Sequence, residues 1–237
     1  MAGAEAETRP AIAGLRLLAV VAALSPAPAA AGAWIAPEGG QEIVTAGVGD
    51  RNDAPFYESA GYYEAPFGDE NALVFATWGE TNYDTVDGWR AEATLGFKQA
   101  FYRDDQNVMA VQASALWVSH PQGDCSEGGA ELRWLGGRSF GGTGFLNVET
   151  AARALSDGCE GGRAEVTAGY RPSPNWLTMG QVFFDAPVDG EETVKAQLTV
   201  VRFGRSGRGV QLGLRARIDG GAPEPTLVLG LWGRPDD

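Results

Sequence analysis

The chain has one histidine and two cysteines in 237 residues. So little imidazole and thiol leaves no material for a His/Cys metal cluster, and none is expected. Basic side chains are also scarce: 18 against 31 acids give a formal charge of −13, the wrong field for a phosphate backbone, and nucleic acid is excluded as a partner. Beyond residue 33 no apolar run approaches the ~18–20 residues that a spanning helix needs. Charged residues make up only 21% of the chain and hydrophobic ones 44%, so it is neither disordered nor collagenous. Glycine is plentiful at 34 residues, with seven Trp, six Tyr and ten Phe, a composition that points to many short strands and tight turns.

The first 33 residues differ from the rest. Arg9 and Arg16 precede the apolar run Leu17-Leu18-Ala19-Val20-Val21-Ala22-Ala23-Leu24, which Ser25-Pro26-Ala27-Pro28 breaks. Ala29-Ala30-Ala31 and Ala31-Gly32-Ala33 both fit a small-residue cleavage site. Residues 1–33 are therefore expected to be a cleaved export signal, cut after Ala31 or Ala33, ahead of one domain over 34–237. No cysteine follows the cut, so no lipid anchor is expected.

Within that domain the dominant signal is alternation. Arg90, Glu92, Thr94, Gly96 and Lys98 alternate with Trp89, Ala91, Ala93, Leu95 and Phe97. Arg163, Glu165, Thr167 and Gly169 do the same against Ala164, Val166, Ala168 and Tyr170, and Gln211, Gly213, Arg215 and Arg217 against Val210, Leu212, Leu214 and Ala216. Successive strand side chains point to opposite faces, so each segment has one greasy and one polar face. Strands are predicted near 41–49, 56–64, 71–81, 88–102, 107–118, 129–137, 144–155, 162–171, 175–185, 192–203, 208–218 and 225–232. That allows about 17 residues for each strand with its connection, where a tilted membrane strand needs about 9–11. The fold expected is all-β: an antiparallel up-and-down transmembrane β-barrel of about 12 strands. A soluble exported barrel or sandwich, apolar face inward, is the competing architecture.

Aromatic residues favour the membrane version, because two levels of rings suit two lipid–water interfaces. Tyr57, Trp78, Trp89, Trp117 and Phe183 are assigned to one level. Phe101, Tyr102, Phe145, Tyr170, Trp176, Phe203 and Trp232 are assigned to the other. With the export signal, the alternation and the ending Thr226-Leu227-Val228-Leu229-Gly230-Leu231-Trp232, the chain resembles Gram-negative outer-membrane β-barrel proteins. Barrels of that class close with an amphipathic strand ending in an aromatic that the assembly machinery reads; here Gly233-Arg234-Pro235-Asp236-Asp237 runs past it. The opening Ala33-Trp34-Ile35-Ala36-Pro37-Glu38-Gly39-Gly40-Gln41 resembles the start of one family of exported barrels. The resemblance implies residence in the outer membrane, with outer-membrane lipid, lipopolysaccharide and the barrel-assembly machinery as partners.

The connections sort by charge. Those after odd-numbered strands contain Asp50, Arg51 and Asp53; Asp84 and Asp87; Asp124 and Glu127; Asp157 and Glu160; Asp185, Asp189, Glu191 and Glu192; Asp219 and Glu224. All but Arg51 are acidic. The other set nearly balances: Asp69, Glu70, Arg103, Asp104, Asp105, Arg138, Arg171, Arg205 and Arg208. With an even strand number the acidic set shares one side, expected to face outward, where divalent cations could bridge it to lipopolysaccharide. Cys125 and Cys159 fall in two neighbouring connections of that set, and export supplies an oxidising route, so a Cys125–Cys159 disulfide is expected.

No catalytic group is expected. Some outer-membrane hydrolases place a serine two positions after a histidine at an outer strand end; here His120 is followed at that position by Gln122. Asp50-Arg51-Asn52-Asp53 and Asp84-Thr85-Val86-Asp87-Gly88 lack a complete calcium-ligand run and read as turns. No cofactor is expected. What remains is a polar interior. The residues predicted to line it are Glu58, Glu64, Glu80, Arg90, Glu92, Lys98, Glu131, Arg133, Glu149, Arg153, Arg163, Glu165, Lys195, Arg215 and Arg217, with Gln112, Asn147, Gln197 and Gln211 among them. Acids and bases nearly cancel, and each buried charge needs a partner or water. Two functions follow: a narrow passive channel for small polar solutes, or a closed structural barrel whose charges pair across the lumen.

Overall fold

The computed structural model describes residues 33–82, 88–119, 125–188, 190–221 and 224–233. The segment expected to be an export signal, apart from Ala33, lies outside them, as do His120, Asp84, Asp87, Asp124 and Asp189. The strands are β1 (Gln41–Arg51), β2 (Ala54–Pro66), β3 (Asn71–Thr81), β4 (Trp89–Arg103), β5 (Asn107–Val118), β6 (Gly128–Phe140), β7 (Gly144–Leu155), β8 (Glu160–Ser173), β9 (Trp176–Ala186), β10 (Thr193–Phe203), β11 (Gly209–Arg217) and β12 (Thr226–Gly233). Three coincide with the predicted bounds and the others differ by one to three residues. Each strand pairs antiparallel with its sequence neighbours, and β1 pairs with β12 from Glu42↔Gly233 to Gly49↔Thr226, closing the barrel. Closure leaves no edge strand.

Period-two patterning decides which face turns inward. Along β4, Arg90, Glu92 and Lys98 are buried while Trp89, Leu95 and Phe97 are exposed. The same holds around the wall, where Val44, Leu73, Leu132, Val166, Leu198, Leu212 and Leu229 all face outward. An apolar belt of that extent is stable only against lipid. The soluble alternative requires the opposite orientation and is excluded. The fold is therefore a transmembrane barrel with a polar interior.

The aromatic levels need correction. Tyr57, Trp89, Trp117, Phe101, Tyr102, Tyr170 and Trp176 are exposed on the outer surface. Trp78, Phe183, Phe145, Phe203 and Trp232 instead stand on the inward parity of their strands. Position near a strand end had suggested a lipid interface, but the face is set by the two-residue period, which places each of these five in register with a buried polar or small residue. A bulge between Ala100 and Tyr102 explains why Phe101 and Tyr102, adjacent in sequence, both face out.

The end of the barrel carrying the start of β1 and the end of β12 is termed the inner end, the opposite one the outer end. At the inner end Pro37 accepts a hydrogen bond at its carbonyl from the Gly40 amide (2.9 Å), and Gly39 and Gly40 take φ of 88° and 78°. Only glycine enters that region without strain. The turn folds residues 33–36 back into the barrel. Ala33 and Trp34 then pack on Ala100, Val108, Ala110 and Leu135. Trp34 lies over Gly137, where a Cβ would stand 2.2 Å from the ring. At the outer end, Cys125 and Cys159 form the expected disulfide, over an apolar cluster of Leu116, Val118, Leu155 and Val188.

Candidate functional site

The lumen has two unlike walls. On the β4–β8 side, charged side chains form a continuous packed network. Glu92 takes Arg90 at 3.0 Å, Arg153 at 2.7 Å and Arg163 at 2.7 Å. Arg153 reaches Glu131 at 3.1 Å, and Arg133 joins Glu131 (2.9 Å) to Glu149 (3.0 Å). The Arg90 and Arg153 side chains are 0% exposed. Charges this deep are tolerated because Glu92 sits among three guanidinium groups and Glu131 between two.

Towards the inner end, Lys98 joins this wall to the folded-in segment. Its ammonium donates to Glu64 (2.8 Å) and to the Trp34 carbonyl (2.7 Å). Glu64 accepts in turn from the Ala36 amide (2.8 Å) and the Tyr62 hydroxyl. The backbone of residues 34–36 thus completes the hydrogen bonding of a buried ion pair, which makes it a built plug.

The rest of the lumen, bounded chiefly by β8 through β12 to β3 with Arg133 and Glu149 on its far side, holds cavities instead. An outer cavity of about 690 Å³ is lined by Arg51, Glu80, Glu191, Lys195, Arg217 and Glu224 among others. A central one of about 330 Å³ shares Trp78, Asp185, Thr193 and Lys195 with it. An inner one of about 310 Å³ shares Ala60, Arg133, Glu149, Glu165, Phe183 and Arg215 with the central one. Amides and hydroxyls gather around the inner cavity: Gln197 donates to Gln181 (3.1 Å) and Thr199 (2.8 Å), and Gln181 and Thr167 donate to Glu165 (3.1 and 2.6 Å). Below the inner cavity, Phe145, Leu177, Met179, Val201, Phe203 and Trp232 form an apolar seal, in which the Trp232 indole N–H bonds Gln211 (2.7 Å). These inward rings and the plug are parts of the site that the sequence reading missed. The left-handed Gly39-Gly40 turn ahead of β1 was the available signal for the plug.

Two further groupings complete the interior. Glu58 on β2 pairs with Arg215 on β11, reaching across the β1–β12 seam. Gly47 makes room, since a Cβ there would meet the Glu58 carboxylate at 2.5 Å. At the outer mouth, Arg51 joins Glu80 (2.6 Å) to Glu224 (2.9 Å) and lies over Phe56, while Arg217 holds Asp219 (2.6 Å) and Glu191 (3.2 Å). Burial pushes the Glu224 carboxyl up, but Arg51, Lys195 and Arg217 outweigh it and hold it below its ordinary value. Hydrogen bonds from Arg217 and the Val194 amide lower Asp219 to about 2. Asp50 accepts from the Asp53 amide (3.1 Å), as a turn residue does. Among the described residues no acidic or His/Cys cluster has a metal-binding arrangement.

Solved structures of other proteins share this closed-barrel fold. The fold is that of a Gram-negative outer-membrane β-barrel. Such barrels that resemble it include the NanC porin (TM-score 0.58, 8% identity, covering 80% of this chain and 98% of that one). The KdgM porin in complex with disordered oligogalacturonate gives a TM-score of 0.57 at 6% identity over 81% of this chain and 97% of that one. An outer membrane channel from Pseudomonas putida F1 gives 0.55 at 12% identity over 84% and 97%. No family model matches the chain, and no curated protein is significantly similar to it.

Proposed function

We propose that this outer-membrane barrel is a narrow passive channel for small polar solutes, with a charged lumen and no catalytic role. The observation that carries the reading is the run of three cavities along the lumen, each sharing lining residues with the next. A barrel whose only task is structural has no use for an asymmetric hollow, and twelve strands give a lumen between the filled eight-stranded and open sixteen-stranded sizes. That outer-membrane neighbours of the same fold are porins and channels supports it. Planar-bilayer conductance of the purified protein tests the reading. Small discrete steps are expected, and a complete absence of conductance would sink it.

The apolar inner seal, together with the Trp34 plug, favours a second reading, a closed scaffold barrel. A Trp34→Ala variant separates the two: the channel gains conductance, the scaffold stays silent. The same reading extends to the partners. Acidic outer connections would bind lipopolysaccharide through divalent cations, β12 would be read by the barrel-assembly machinery, and residues 1–33 would be removed as the export signal. Because Ala33 is buried within the plug, cleavage after Ala31 is the cut that keeps it whole. N-terminal sequencing of the mature protein reads this directly.

A further inference from the structure

Most lumenal charges are consumed by close opposite partners. Two facing the central cavity are less committed: one has no ion pair among the described residues and the other only a long one. Glu165 accepts hydrogen bonds from Thr167 and Gln181 and takes part in no ion pair among the described residues. The Lys195 ammonium has its nearest carboxylate, Glu224, at 3.7 Å, and that carboxylate already accepts two hydrogen bonds from Arg51 (2.9 and 3.1 Å). Strand register brings these two residues together. Glu165 on β8 pairs with Phe183 on β9, and Phe183 pairs with Lys195 on β10. All three line the same cavity, so one cross-strand row offers a carboxylate, an aromatic ring and an ammonium in that order. Two strand spacings put the ends of the row about 10 Å apart at the backbone, with both side chains reaching inward from there.

We propose that this row is a binding site for a zwitterion whose ammonium and carboxylate are separated by a short apolar spacer, such as an ω-amino acid or a dipeptide. The solute's ammonium meets Glu165, its carboxylate meets Lys195, and its spacer lies on the Phe183 ring. A solute with one charge satisfies one end and leaves the other facing a low-dielectric wall, so it binds less well. The proposal deepens the channel reading and rests on it for its physiological meaning, since the row sits in the middle of the cavity run.

The test uses the full-length protein purified in detergent, with ε-aminocaproate as probe and hexanoate and hexylammonium as singly charged controls. Binding is measured at equilibrium by tryptophan fluorescence, for which Trp78 lines the same cavity. The zwitterion is expected to bind about tenfold more tightly than either control. Glu165→Gln and Lys195→Met should each reduce it to the level of the controls, both variants keeping the heat-modifiable migration of a folded barrel. The swapped variant carrying Glu165→Lys with Lys195→Glu should restore binding, because the solute need only turn round. Equal binding of all three solutes to the native protein overturns the site, as does a preference that persists in the single variants. Bilayer conductance is read separately. Its absence alongside zwitterion binding removes the channel and keeps the site, whereas conductance without the preference does the reverse.

Discussion

The two walls of the lumen carry the same residue types and use them differently. On the β4–β8 side, Arg90, Glu92, Glu131 and Arg153 pack against one another with hardly any water access. On the β8–β12 side, Gln181, Gln197, Thr199 and Gln211 carry the polarity around the inner cavity, and the close ion pairs gather at the outer mouth. A guanidinium fork satisfies two carboxylates at once and knits three strands together, which fills space. Amides and hydroxyls bridge only adjacent strands and leave the centre open. The barrel thus separates support from passage by assigning each to its own arc of strands.

The sharpest way to break this contrast is Glu92→Ala, which leaves three guanidinium groups, those of Arg90, Arg153 and Arg163, without their shared carboxylate. A loss of about 3–5 kcal/mol is expected from chemical unfolding in detergent or lipid. Trp34→Ala comes next, at about 3 kcal/mol, because the ring fills a pocket shaped by Gly137 and two alanines. A cysteine placed at Leu135, beneath the ring, should become reactive only in that background. Replacing Cys125 and Cys159 by serine should cost about 2–3 kcal/mol and loosen the outer end on the packed side. On the open wall, Gln181→Ala should cost only about 1 kcal/mol, since its neighbours face a cavity that admits water. A Gln181 effect as large as that of Glu92 would erase the distinction between the walls.

The smallest effect is a pH dependence at the outer mouth. The folded-state pKa of Asp219 is lowered to about 2, so its contribution is complete above the unfolded value of about 4 and disappears as pH falls through the folded one. The native barrel should therefore lose stability between those limits slightly more than Asp219→Asn does, as followed by the unfolding midpoint against pH.

Strand number, bounds and inward parity were legible because a two-residue period in eleven-residue segments leaves few alternatives. Even β1, β2 and β9, where glycine and small residues blur the alternation, fall where turn residues such as Asn52-Asp53 and the flanking strands require. The disulfide was legible from topology, since only neighbouring outer connections bring Cys125 near Cys159. The pairing of particular charges was less so. Closure of the last strand on the first already brings Glu58 near Arg215, but Glu92 meeting Arg163 depends on which strands face each other across the lumen, and alternation carries no information about that. The inward rings show the limit of reading by level: Phe145 and Trp232 lie at the expected height and on the other face.

The ion pair between Glu58 and Arg215 has a consequence for how the barrel comes apart. It spans the junction of the first and last strands, the contact that closes over nearly the whole chain and forms at the greatest entropic disadvantage. Because the clasp cannot exist until that junction has zipped, it does little to speed closure and acts mainly against reopening. A barrel lacking it should assemble at a similar rate and then unzip sideways into the bilayer sooner, so two side chains that never touch lipid lengthen its lifetime in the membrane.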